Sequence, residues 1–192
     1  IYAGDVWLAD KNGSNVERLT AFEGVESEPH FSPDGQTIAF TGQYDGNTDV
    51  FIVPISGGEP KRLTWHPSAD YVTGWTNDGQ SVIFASGRSQ APYPDSDQLW
   101  QVSINGTTPT LFMKPRAVDG KFSPDGKQFV YERNNRWESE FRNYRGGQNT
   151  PLRILDLQTF EEQRIPMENS RDMNPVWMQN TIYFLSDRDL AM

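Results

Sequence analysis

The sequence predicts an all-β fold, a β-propeller of four-stranded antiparallel blades. Three observations carry this reading. A Ser-Pro-Asp-Gly-type turn recurs, an Asp-Val-aromatic motif is interleaved with it, and the segments between them are apolar almost without interruption. The turn stands as Ser32-Pro33-Asp34-Gly35, Thr76-Asn77-Asp78-Gly79 and Ser123-Pro124-Asp125-Gly126, its glycines 44 and 47 residues apart. A tandem period near 45 residues with many short strands is the signature of propeller blades. A β-sandwich does not account for a repeat with a fixed motif.

Each element of the repeat has a physical reason. Pro at the second turn position presets φ, Asp bonds the local backbone, and Gly supplies φ > 0. An aromatic residue precedes each turn (Phe31, Trp75, Phe122), and a strand such as Val82-Ile83-Phe84-Ala85 follows it. Continuous apolar character implies burial on both faces of the sheet. The second motif reads Asp5-Val6-Trp7-Leu8, Asp49-Val50-Phe51-Ile52 and Gln98-Leu99-Trp100-Gln101, with Leu152-Arg153-Ile154-Leu155 a weaker copy. After each of the first three copies comes a turn containing Asn12-Gly13, Gly57-Gly58 or Asn105-Gly106. Asn-Gly favours a two-residue hairpin turn. The outer strand then carries Arg18-Leu19-Thr20, Arg62-Leu63-Thr64, Leu111-Phe112 or Arg164-Ile165-Pro166.

With the strands of a blade labelled A to D from inside outward, the chain divides as follows. Residues 1–20 are strands C–D of one blade, 21–64, 65–112 and 113–166 are full blades, and 167–192 are strands A–B of the next. That is about four blade-equivalents. The first residue is Ile, inside an apolar segment, which reads as a piece of a longer protein.

Composition narrows the function. The 192 residues contain no cysteine, which excludes disulfides and thiol nucleophiles. The net charge of −9 makes a nucleic-acid partner unexpected. No apolar run approaches the ~20 residues that span a bilayer, so no membrane partner is expected. A Ser-His-Asp triad needs a histidine, and the two present, His30 and His66, lie on an inner strand and before Pro67 in a D–A loop. No Gly-x-Ser-x-Gly elbow occurs, and no catalytic residue, metal or cofactor is expected. Asp45-x-Asn47-x-Asp49 opens like an EF-hand loop, but Val50 and Ser56 replace the required Gly and Glu, so it reads as a B–C turn with Asp49 capping backbone donors. Glu26, Glu28, Asp70 and Asp119 could suggest glycosidase carboxylates; on an acidic chain they read as solvated loop residues.

The B–C loops carry the irregularity. They lengthen from a tight connection at 44–47 to 87–97 and then to 133–150. Long loops on one face of a rigid scaffold are where function concentrates. In the longest, Trp137, Phe141 and Tyr144 have helical spacing and could lie over their own blade. The functional alternative is that Arg136, Arg142 or Arg145 grips the carboxylates or carbonyls of a peptide. With His30 and Lys121 on the inner strands, these arginines form the candidate substrate-binding set.

The segments Glu28-Pro29-His30-Phe31-Ser32-Pro33-Asp34-Gly35, Asp49-Val50-Phe51-Ile52-Val53-Pro54 and Lys61-Arg62-Leu63-Thr64 resemble the repeat shared by TolB and the tricorn proteases. Tyr131-Glu132-Arg133 with Trp137-Glu138-Ser139-Glu140-Phe141-Arg142 resembles an insertion of the N-terminal six-bladed propeller of tricorn-like peptidases. Trp65-His66-Pro67-Ser68 resembles the loop after the second blade of those propellers, and Asn174-Pro175-Val176-Trp177 their fifth blade. The resemblance implies an arc of a six-bladed ring that admits peptides or unfolded polypeptide segments to a serine-peptidase domain elsewhere in the parent. It further implies partners in other domains of the same chain and a homo-oligomeric parent. A cytoplasmic location is expected, with a periplasmic one as the alternative. The second functional reading is a TolB-like protein-binding scaffold without enzymatic activity. A prolyl-oligopeptidase-type propeller fits the insertions less well.

Overall fold

The computed structural model describes residues 1–89, 97–133, 151–166, 170 and 172–188. Every regular element among these residues is a strand. The chain forms two compact units, Ile1–Pro115 and Arg116–Met192.

The first unit holds three antiparallel sheets. One pairs β1 (Trp7–Leu8) with β2 (Glu17–Arg18). The second runs in chain order through β3 (Val25–Phe31), β4 (Thr37–Tyr44), β5 (Asn47–Pro54) and β6 (Lys61–Arg62). The third runs through β7 (Asp70–Trp75), β8 (Ser81–Ser86), β9 (Gln98–Ser103) and β10 (Thr110–Leu111). The second unit holds the four-stranded sheet β11 (Asp119–Phe122), β12 (Gln128–Glu132), β13 (Arg153–Asp156), β14 (Glu162–Arg164) and the pair β15 (Asp172–Met178), β16 (Thr181–Ser186). Four-stranded antiparallel meanders of this kind are propeller blades.

Burial on both faces explains the unbroken apolar strands. Along β4, Ile38 and Phe40 point to a cluster with Val6, Phe51 and Val53. The intervening Ala39 faces the opposite way, into a cluster with Val50, Leu63, Val72, Trp75, Val82, Phe84 and Val102. Alternate residues of one strand thus feed two cores, one on each side of the sheet.

The recurring turn is built the same way three times. Ser32 N–H bonds the Thr37 carbonyl, Gly35 N–H bonds the Ser32 carbonyl, and Gly35 sits at φ 69°. The Asp34 carboxylate accepts the Ser32 hydroxyl at 2.5 Å and the Gln36 N–H at 3.0 Å. Thr76/Asp78/Gln80 and Ser123/Asp125/Lys127 repeat those bonds. The side-chain hydroxyl, then the backbone N–H, hold all three carboxyls below the usual Asp range. A lowered folded-state pKa stabilises above the unfolded value of about 3.9 and is lost as pH falls through the lower folded value. Replacing Asp34, Asp78 and Asp125 together with Ala should therefore flatten the acid limb of a melting-temperature profile taken between about pH 5 and pH 2.

The Asn-Gly sites differ from the expected two-residue turn. Gly13 N–H bonds the Asp10 carbonyl and Gly106 N–H bonds the Ser103 carbonyl, while Gly13 and Gly106 alone of each Asn-Gly pair have positive φ. Asn therefore occupies the third position of a turn closed by a left-handed Gly. A two-residue turn does join β4 to β5, where both Asp45 (φ 53°) and Gly46 (φ 79°) are left-handed.

Candidate functional site

Among the described residues, ion pairs gather at strand ends. In the first sheet Asp5 meets Arg18 at 2.8 Å. In the second, Asp49 meets Arg62 at 2.5 Å and accepts the Thr64 hydroxyl at 3.2 Å. Thr20 and Thr64 also accept the N–H groups of Val6 and Val50 at 2.9 and 3.0 Å. The Asp-Val-aromatic and Arg-Leu-Thr motifs therefore form one clamp between strands C and D. Asp49 was expected to cap backbone donors; its partners are a guanidinium, a hydroxyl and the Asn47 amide instead. Burial pushes the Asp49 carboxyl up, and Arg62 and Thr64 oppose that shift.

A second clamp closes the A–B hairpin. Asp70 pairs with Arg88, whose Nε donates to Ser86 Oγ at 3.2 Å. Asp172 pairs likewise with Arg188 at 2.9 Å, whose Nε donates to Ser186 Oγ at 2.9 Å, and here the Ser186 hydroxyl also donates to Asp172 at 2.7 Å. Arg88 lies over the rings of Phe84 and Trp100, 4.8 and 5.5 Å from their centroids, and Arg188 lies 5.2 Å over Phe184.

Glu26 and Asp70 were expected as solvated loop carboxylates, and this is corrected: they are 1% and 0% exposed. Glu26 accepts the Val6 N–H at 2.8 Å, the Thr20 hydroxyl and the Tyr44 hydroxyl, joining the first sheet to the second. Burial, then the bond to Glu26, holds the Tyr44 phenol well above its usual range. Buried carboxylates committed to structural partners, Glu26 to three donors and Asp70 to Arg88, are unsuited to glycosidic acid–base work.

Of the candidate binding residues, His30 belongs to the first unit and Lys121 to the second. His30 is half-buried in β3, and its carbonyl accepts the Trp75 indole N–H at 2.9 Å. Lys121 in β11 is 3.2 Å from the Asp119 carboxylate. Arg136, Arg142 and Arg145, with the helix expected around them, lie outside the described residues. His66 Nδ1 accepts the Ser68 N–H at 3.0 Å, which shapes the D–A loop. No group of three metal-ligating side chains occurs among the described residues.

Strand C of the fourth sheet is shifted by one residue from the motif alignment. Ile165 N–H bonds the Leu152 carbonyl as Leu63 N–H bonds that of Val50. Leu152 is thus the counterpart of Val50, Pro151 that of Asp49, and Arg153 that of Phe51. The Arg in place of an aromatic obscured the register.

Blade-type sheets whose strand ends are held by ion pairs define a β-propeller scaffold. Residues 1–192 match the family described as the tricorn protease N-terminal beta propeller domain, and the chain belongs to that family. It is 31% identical over 199 residues to tricorn protease homolog 1 of Streptomyces coelicolor, covering 96% of this chain and 17% of that protein. It is 30% identical over 122 residues to the Tol-Pal system protein TolB of Francisella tularensis subsp. mediasiatica, covering 60% of this chain and 27% of that protein. The crystal structure of the tricorn protease superposes with a TM-score of 0.80 at 24% identity, over 97% of this chain and 19% of that one. The chain thus spans a small part of the length of these relatives.

Proposed function

We propose that this chain is an accessory propeller of a tricorn-like serine peptidase, guiding peptides or unfolded polypeptide segments to a catalytic domain outside residues 1–192. The family match over the whole chain carries the reading. The clamps support it physically. The C–D clamp of the second sheet and the A–B clamp of the third fix strand ends from which B–C and D–A loops spring, so those loops have a rigid base for steric selection. Other domains of the same chain and further copies of the parent are the proposed assembly partners, in the cytoplasm or, alternatively, the periplasm.

The test compares hydrolysis of a peptide series of increasing length by the protein with and without this segment. Removing the propeller should change the length dependence of kcat/KM while leaving a minimal fluorogenic substrate unaffected. Unchanged length selectivity sinks the proposal. The match to TolB favours one alternative, a protein-binding scaffold. A stable folded partner, together with unchanged peptide selectivity, would establish it.

A further inference from the structure

The C–D clamp has been dismantled unevenly along the chain. In the third sheet, Phe112 N–H bonds the Leu99 carbonyl, which places Gln98, Leu111 and Met113 at the positions of Asp49, Arg62 and Thr64. Both charges are lost there together. In the fourth sheet Pro151 and Pro166 replace the Asp and the Thr, yet Arg164 remains at the position of Arg18 and Arg62. No hydrogen bond or ion pair joins exposed Arg164 to any described residue.

A second arginine has been added beside it. Arg153 is the direct cross-strand partner of Arg164, so the two side chains share one face of the sheet. Like charges placed directly opposite are destabilising unless an anion offsets them. Glu162 offsets one of the two: it takes Arg153 Nη1 and the Tyr131 hydroxyl. Burial opposes the Glu162 charge, but Tyr131 and Arg153 outweigh it, and Arg133 adds positive potential from the end of β12. Arg153 is 8% exposed, and its Nε is a buried donor without an acceptor. On a chain of net charge −9, this face carries an excess of cation.

We propose that Arg164, with Arg153 beside it, forms a binding site for a carboxylate supplied by a ligand, in the place that Asp5 and Asp49 fill for Arg18 and Arg62. The lost internal group was a carboxylate held by one guanidinium, which sets the ligand chemistry. The site is independent of whether the parent cuts peptides.

The test titrates the isotope-labelled protein with acetate, inorganic phosphate and chloride at constant ionic strength, following the arginine Nε–H resonances. Acetate should shift Arg164 and Arg153 saturably. The shift should weaken about tenfold or more in R164Q, since a charged hydrogen-bonding partner is lost. It should vanish in P151D, where the restored aspartate occupies Arg164 from within. Arg164 is exposed, so R164Q keeps the fold and decides the question alone if P151D does not fold. N-acetylglutamate α-amide and N-acetyl-glycylglycine then distinguish a side-chain from a terminal carboxylate, the tighter ligand naming the source. Acetate acting only as chloride does, binding unchanged in R164Q or in folded P151D, or a clear preference for phosphate overturns the proposal.

Discussion

Replacing Asp70 with Ala is expected to destabilise the protein by about 3 kcal/mol, because the Arg88 charge is left buried without its partner. The Asp70 side chain is 0% exposed and that of Arg88 9%. Arg88 is also held by Ser86 and by the rings of Phe84 and Trp100, so it cannot turn readily to water. Asp70 Oδ1 is buried without a hydrogen bond, so the pair offsets only part of its own desolvation. This places the expected cost at the lower end of the range for a broken buried pair. For a chain of this size the melting temperature should fall by roughly 6–12 °C. Changing both partners at once, Asp70→Leu with Arg88→Met, should recover most of the loss, because no isolated charge then remains. If the double variant is as unstable as the single one, the loss comes from packing and the charge-pair account fails.

Phe84→Ala should cost about 3–5 kcal/mol, the range for emptying a fully buried aromatic position. Phe84 is 0% exposed and belongs to the core shared by the second and third sheets, with Val72, Trp75 and Val82. Its ring also supports Arg88, so its removal loosens the neighbouring ion pair. The counterpart in β16, Phe184, is half-buried and supports Arg188 in the same way. Phe184→Ala should cost about half as much, since less apolar surface leaves the interior. Urea unfolding of both variants checks the ratio. Equal losses would mean that β16 is packed as tightly as β8.

The blade architecture was legible because its signals are local. A Pro-Asp-Gly or Asn-Asp-Gly turn bonds within six residues, and a strand that feeds two cores shows it as an apolar run. The buried carboxylates were not legible. Asp70 finds Arg88 and Glu26 finds Tyr44 across 18 residues of chain, and nothing next to either acid marks it as buried. A signal for the hairpin clamp did exist: Ser86-Gly87-Arg88 and Ser186-Asp187-Arg188 each close a strand B whose partner strand opens with Asp. The register of the fourth strand C was missed by one residue for a related reason. Arg153 stands where an aromatic was expected, and its burial depends on Glu162 and Tyr131, both outside that strand. Lys121, a candidate ligand for substrate, has the Asp119 carboxylate 3.2 Å away, a neighbour two residues distant along the strand.

The role proposed for this propeller is to handle peptides without cutting them. The most direct measurement mixes the protein comprising residues 1–192 with a fluorescent unstructured peptide, following anisotropy for binding and mass spectrometry for cleavage. The account predicts saturable binding with the peptide recovered intact. Absence of binding, or cleavage that a serine-directed inhibitor abolishes, would contradict it.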